Sequence, residues 1–410
     1  MEKELTQPVA PLSTAERAGS ESATMDGRLV WIMAVACAIV VANLYYIQPM
    51  LADMGRSFSV SVNQIGFIAT LSQLGYASGL LLIVPLGDNY NQRSLIVIML
   101  VAVSLALVFM ASAPGIIILA CASYAVGLTT VVPQLIIPYA ASLAHAKERG
   151  RVVGMVMSGL LIGILLARTV SGFISAHFGW RSVYWFAAAL MIVMAVVLRF
   201  LLPADRAPKG SMRYSQLLRS LWGLLRTEPV LRETSVIGAL VFGAFSAFWV
   251  TLSFFLETPP YHYGSEVTGL FGLVGVAGAL AASFVGKFAD RRDPRYANGV
   301  AMAITLLSFV LMWLAGQWLP GLIVGVILLD LGTQANQVSN QARVYSLNPQ
   351  ARNRLNTVYM VSYFIGGSLG SILGSYGWSS AKWNGVCGAA CLLLVGALVF
   401  FALNSKRVRA

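Results

Sequence analysis

The feature that most constrains this chain is a train of twelve apolar runs, each close to 20 residues long, separated by short polar breaks. Crossing the hydrocarbon core of a bilayer takes about 20 mostly apolar residues in a helix. In lipid, every backbone N–H and C=O must find its partner inside the segment, so such runs can only be helices or strands of a closed barrel. Runs this long and this continuously apolar predict helices. The expected spans are 29–52, 63–86, 93–111, 115–141, 152–176 and 180–202, then 234–256, 265–286, 296–314, 319–345, 353–377 and 380–403. With 58% hydrophobic and 11% charged residues among 410, little chain remains for a soluble domain. The fold class that follows is an all-α membrane protein, twelve transmembrane helices in two pseudo-symmetric six-helix bundles.

Five parts are expected: a disordered cytoplasmic tail (1–28), a first bundle (29–202), a linker (203–233), a second bundle (234–403) and a short cytoplasmic tail (404–410). The first 28 residues are polar and lack the apolar core of a signal peptide. In the linker, Leu217, Leu218, Leu221, Trp222, Leu224 and Leu225 stand opposite Arg219 and Arg226, the pattern of a helix lying on a membrane surface.

A net charge of +12 could suggest nucleic acid. Sorting the 28 Lys and Arg by loop removes that reading, because all but five fall on the side that carries both termini. The exceptions are Arg56, Arg181 and Lys382 on the opposite side and Arg168 and Arg199 within spans. This asymmetry places both termini in the cytoplasm. Cys37, Cys121, Cys387 and Cys391 fall inside spans without metal-ligand spacing and read as small apolar fillers. His145, His177 and His262 sit in expected loops, apart from any cysteine or carboxylate pattern, so no metal site is expected. No phosphate-cradling glycine loop appears, which argues against ATP as the energy source, and no cofactor is expected. No nucleophile paired with a base is visible, so the chain does not read as an enzyme.

The two halves repeat each other at a separation of about 200 residues. "PQLIIPYAASLAHAKERGR" (133–151) aligns without a gap on "NQVSNQARVYSLNPQARNR" (336–354), and "HFGWRS" (177–182) mirrors "SYGWSS" (375–380). Two facing six-helix bundles with a site between them are how secondary transporters alternate access.

"VPLGDNYNQRS" (84–94) and "VGKFADRRDPR" (285–295) resemble the loop motif between helices 2 and 3, and 8 and 9, of the major facilitator superfamily. The second copy holds Gly286, Asp290 and Arg291; the first has Val84 and Asn89 where the glycine and arginine stand. "NLYYIQPML" (43–51) and "RLNTVYMVSYFIGGSLGS" (354–371) are similar to bacterial inner-membrane drug or sugar efflux permeases. The resemblance implies a monomeric exporter of small amphipathic molecules, driven by proton influx, with helices 1, 4, 7 and 10 around a central cavity. It also implies a cytoplasmic latch of Asp88, Arg93, Asp290 and Arg291, with Arg149 and Arg352 as partners, although these arginines equally satisfy the positive-inside rule. Where many proton-coupled exporters carry an arginine in helix 4, this chain has Ser123, four residues before Gly127, so any coupling must use other residues. A symporter or uniporter for a polar metabolite, and a transporter-like receptor, are the alternatives.

Within the spans, Arg168 and Asp330 are the deepest charges, and buried charges in membranes usually face a cavity or a partner. Asp330 is the candidate proton-coupling carboxylate, alone or paired with Arg168; the alternative is a static ion pair or a structural acid. Arg168 could attract an anionic substrate, gate the bundle interface or snorkel to the outer surface. On the tenth span, Asp330, Gln334, Gln337 and Gln341 form one stripe, and Thr333, Asn336, Asn340 and Arg343 the next. Both are expected to meet water or substrate. Asn43, Tyr45, Tyr46 and Gln48 on the first span, Gln134 on the fourth, and Asn356, Tyr359 and Tyr363 on the eleventh could orient a ligand, or simply bond between helices. Glu257, before Pro259 and Pro260, reads as a solvated loop acid or as one facing the outer mouth of the cavity. Glycines four apart, at 75 and 79, 159 and 163, and 366, 370 and 374, with Gly269, Gly272, Gly275 and Gly278, suggest close sliding surfaces between bundles or ordinary tight packing.

Overall fold

A computed structural model of the protein describes residues 27–145, 148–203, 214–289, 294–348 and 351–404. Among them every regular element is helical. Following the spans, α1 is Gly27–Phe58, α2 Val62–Leu82, α3 Gln92–Ala111, α4 Ile116–Leu143, α5 Arg149–Phe178 and α6 Trp180–Leu201. The second bundle holds α7 Pro229–Glu257, α8 Ser265–Ala289, α9 Pro294–Ala315, α10 Leu319–Leu347, α11 (352–380) and α12 (383–403). Helices α11 and α12 run on almost directly, broken only where Ala381 and Lys382 leave helical geometry.

Two helices are interrupted inside the membrane. α1 breaks over residues 43–46, where Asn43, Leu44 and Tyr45 donate their backbone N–H groups three residues back, to Val40, Val41 and Ala42, tightening one turn. α4 breaks at Thr130 and Val131, just before Pro133, which supplies no N–H to continue the ladder. Apolar runs alone gave no sign of the first break.

The glycine stripes do most of their work inside bundles. Gly159 and Gly163 of α5 lie on the backbone of Ala34 and Ala38 in α1. Gly75 and Gly79 of α2 lie on α4 at Tyr124 and Leu128, and Gly366, Gly370 and Gly374 of α11 meet α7 at Ala239, Gly243 and Ala247. Gly275 and Gly278 of α8 abut Asp330 and Ile327 of α10. The pairs α1–α5 and α7–α11, and α2–α4 and α8–α10, are thus equivalent in the two halves. Of these stripes, Gly269 and Gly272 of α8 face the other bundle, packing on Leu165, Arg168, Thr169 and Gly172 of α5; outside them, Gly66 of α2 and Gly367 of α11 also lie between the bundles, against Ser375 and Gln73. The close glycine contacts between bundles are therefore confined to the α5–α8 and α2–α11 crossings, and most of the stripes serve packing within a bundle, because small residues are used wherever backbones touch, moving or not.

The two ends of the molecule differ. At the end away from the termini the bundles are in contact: Arg56 of α1 pairs with Glu257 of α7 and with Asp53, and Ser175 of α5 donates to Asp53 at 3.1 Å. Ser379 of α11 donates to Asn63 of α2 at 2.8 Å, and deeper in, Gln73 of α2 donates to Ser371 of α11 at 3.1 Å. Glu257 is thus part of a seal between bundles, not a loop acid. At the terminal end a cavity of about 520 Å³ opens between α2, α4, α10 and α11. The linker helix Tyr214–Thr227 borders it through Leu217 and Leu221, while the Tyr214 hydroxyl donates to Leu82 of α2 at 2.8 Å. Trp222 lies on the exposed side of that helix, with the Arg226 guanidinium 4.9 Å from its ring centre, and not with the buried leucines.

Arg56→Ala should loosen the sealed end only modestly. Its side chain is 60% exposed, and exposed pairs contribute about 0–1 kcal/mol, which is at most about a fivefold population shift. Distance distributions between spin labels at the ends of α1 and α7 check this; a complete shift to an open outer end would mean that the pair alone holds the seal.

Candidate transport site

The break in α1 turns Tyr45 and Gln48 toward α5. There Arg168 is fully buried, and its Nε donates to the Gln48 side-chain oxygen at 2.6 Å. Its guanidinium carbon lies 3.8 Å from the Trp249 ring centre, 5.1 Å from Tyr45 and 5.8 Å from Phe245. Such ring faces stabilise a cation electrostatically. They come from both bundles, α1 and α7, so Arg168 stands at the interface between them. Its Nη1 and Nη2 have no hydrogen-bond partner. The outward-snorkelling reading is overturned, because the side chain is held inward by Gln48 and the rings.

Across the α8 glycine row stands Asp330, 1% exposed, with Oδ2 unpartnered. Gly275 and Gly278 make room for it: a Cβ at Gly275 would come within 3.0 Å of the carboxylate, and one at Gly278 within 2.9 Å of its Cβ. Arg168 and Asp330 are close enough to interact electrostatically, yet no ion pair within 4.0 Å joins them. A static pair is therefore not what the structure holds.

The two polar stripes of α10 have different fates. Gln334, Gln337 and Gln341 are half-buried; Gln337 accepts from the Tyr363 hydroxyl at 3.4 Å and Gln341 reaches the Met360 sulfur at 3.8 Å. Gln337 and Gln341 thus face α11, whereas Asp330 of the same stripe meets α8. In the other stripe Thr333 is buried with its hydroxyl unpartnered, and the rest is consumed by the protein: Asn298 of α9 donates to Asn340 at 2.8 Å, Asn340 to Asn336 at 3.1 Å, and Asn336 to Asn298. Arg343 pairs at 2.9 Å with Glu233 of α7, which also meets Arg295 of α9 at 3.0 Å. Asn336 and Asn340 are thus buried in a closed ring and do not face a substrate. α7 begins at Pro229, before the expected 234, and this brings Glu233 out of the linker and into the bundle.

The remaining candidates divide similarly. Gln134 lines the terminal cavity, beside Tyr345, Arg352, Asn356 and Met360. Asn356 accepts from the Tyr345 hydroxyl at 3.0 Å. Asn43 points to the Met191 sulfur at 3.3 Å within the first bundle, and Tyr46 is buried. Tyr359 is buried against Gly238 of α7, away from the cavity, whereas Tyr363 stacks on Phe242 with ring centres 4.0 Å apart. Ser123, in place of an arginine, donates to the Ile68 carbonyl at 2.7 Å and tethers α4 to α2. Phe245 and Trp249 escaped sequence reading because aromatics in an apolar run carry no signal of what they cover.

Of the expected latch, Arg93 donates to the Arg199 carbonyl of α6, Arg149 to the Ala141 carbonyl at 2.9 Å and Arg352 to the Tyr345 carbonyl at 3.2 Å. All three bond within their own bundles, tying loops and helix ends. The Asp88 side chain, Asp290 and Arg291 lie outside the described residues.

Residues 33–371 match the family model described as Major Facilitator Superfamily. The chain belongs to the Major Facilitator Superfamily. Among curated relatives, the putative uncharacterized transporter YgaY of Escherichia coli is 41% identical over 374 residues, covering 91% of this chain and 95% of that protein. A probable transporter of Streptomyces coelicolor is 33% identical over 387 residues, covering 94% and 90%. The fold is shared with solved structures at much lower identity. A bacterial homolog of the human lysosomal transporter Spinster, inward-facing and unoccupied, superposes with a TM-score of 0.71 at 16% identity over 92% of this chain and 95% of its own. The nucleoside transporter NupG gives 0.74 at 13% over 91% and 100%. As a superfamily member with named transporters as relatives, the protein is a multi-pass membrane transporter and not an enzyme; its bacterial relatives support an inner-membrane location.

Proposed function

We propose that the protein is a proton-coupled secondary transporter of small amphipathic molecules, working by alternating access, with Asp330 as the proton-binding carboxylate. One observation carries this reading: a fully buried carboxylate with an unpartnered oxygen, near a buried arginine to which it is not paired. Such a group changes charge state whenever the bundles move and its surroundings change, and this is what couples protons to conformation. The charge asymmetry of the loops supports placing both termini in the cytoplasm, so that the described state is open inward. The molecule acts as a monomer in this reading.

Export in exchange for protons, as in the drug or sugar efflux permeases the sequence resembles, requires substrate and proton to compete at Asp330. Co-transport with a proton is the second reading, favoured by the free guanidinium edge of Arg168. Both share one test. In liposomes loaded with a pH-sensitive dye, a transported compound should evoke proton movement in the wild type and none in Asp330→Asn. Full proton movement in the mutant would remove Asp330 from the mechanism. Compound flux without proton movement in either protein would make this a uniporter.

A further inference from the structure

We infer that the substrate is an organic carboxylate with a planar apolar body, that its carboxylate docks end-on against Nη1 and Nη2 of Arg168, and that it binds together with a proton. The inference deepens the reading of Asp330 as the proton site and rests on it.

The recognition half starts from the guanidinium. Arg168 is fully buried between the bundles, its Nε is engaged by Gln48, and its guanidinium carbon lies over the Trp249 ring at 3.8 Å. What remains is the edge formed by Nη1 and Nη2, both without a partner. Two parallel N–H groups in a fixed plane match the two oxygens of a carboxylate, the geometry that gives arginine its preference for such anions. A buried cation with unfilled donors is costly in a membrane, so an anionic ligand gains by meeting it. From this edge an aromatic wall continues along α7 and α11: Phe245 stacks on Phe242 at 5.7 Å, and Phe242 on Tyr363 at 4.0 Å. Flat rings in sequence suit a flat apolar body. Arg168 itself presents no acceptor, so amines gain nothing there.

The coupling half follows from charge balance. Among the described residues, the charged and titratable groups within electrostatic reach of Arg168 are Asp330 and Tyr45, and those facing Asp330 are Arg168 and Tyr363. On α8 the carboxylate is met by Gly275 and Gly278. With Asp330 ionised the site is neutral. A bound carboxylate brings it to −1, and a proton on Asp330 restores neutrality. Carboxylate and proton therefore promote each other's binding, and by linkage the effect is reciprocal. A cationic substrate would do the reverse and expel the proton.

The test uses the full-length protein purified in detergent, titrated with benzoate and 2-naphthoate, the matching amides, and benzylamine, in weakly buffered solution with a pH indicator. The expected result is binding of the carboxylates with proton uptake, weakened about a hundredfold in Arg168→Gln and partly restored in Arg168→Lys. Asp330→Asn should keep carboxylate binding and lose proton uptake. Thermal unfolding of each variant, with Arg168→Lys as the conservative control, separates lost binding from lost fold. Carboxylates that do not bind, or that bind Arg168→Gln as well as the wild type, would overturn the inference. Benzylamine binding with proton release would overturn it too, yet would leave Asp330 as the proton site. Ligand binding without proton exchange by any compound would end the reading of Asp330, and the inference with it.

Discussion

Glu233→Ala should lower stability by about 3–5 kcal/mol, the cost typical of removing one partner from a buried ion pair. Glu233 is 2% exposed and holds Arg343 at 2.9 Å and Arg295 at 3.0 Å, so it joins α7, α9 and α10 at the terminal end of the second bundle. Without it two guanidinium groups are left with no carboxylate to bridge them. Neither can be rehydrated without opening the helix ends, since the Arg343 side chain is only 8% exposed. Thermal unfolding in detergent checks this directly. A variant that unfolds within a few degrees of the wild type would mean that water already reaches the triad. Glu233→Gln, which retains an acceptor oxygen, should fall between the two.

Gly269→Val should abolish most transport while leaving each bundle folded. A Cβ at Gly269 would lie 2.6 Å from the Arg168 carbonyl and 3.1 Å from Gly172 Cα, contacts that exist only because α5 and α8 touch at the sealed end. The same crossing carries the hydrogen bond from Thr169 to the Gly269 carbonyl at 3.0 Å. A branched side chain forces the helices apart there. Overpacking costs about 1–3 kcal/mol, and that shifts a two-state balance by about 5- to 150-fold. The state sealed at the outer end should lose population. Ser171, fully buried in α5, reports on this: as the sole cysteine, Ser171→Cys should resist a membrane-impermeant maleimide in the wild-type background and react in Gly269→Val. Equal labelling in both, with transport intact, would show that the crossing never tightens during the cycle. The corresponding change at Gly370, which packs on Gly243 inside the second bundle, should instead damage folding.

The number of spans, the twofold repeat and the family were legible in the sequence because lipid imposes them locally. A helix long and apolar enough to cross a bilayer declares itself whatever it packs against. The two deep charges were legible for the same reason: a charge in an apolar run is costly, and Arg168 and Asp330 both lie at buried positions between helices. Which partner each polar group meets was not legible. Asn336 and Gln337 are neighbours on α10, yet one is closed in a ring with Asn298 and the other reaches Tyr363, because a helix turns 100° per residue and each face meets a different helix. The glycines show the same limit: spacing announces close approach, and only the packed bundles say that Gly269 separates the halves while Gly370 holds one half together. The sequence by itself thus determined the all-helical membrane fold and the places where charge is buried. Only the tertiary structure decided that Arg168 keeps a free edge between aromatic rings and that Asp330 stands near it unpaired. Those facts depend on contacts between α1, α5, α7, α8 and α10, brought together from across the chain.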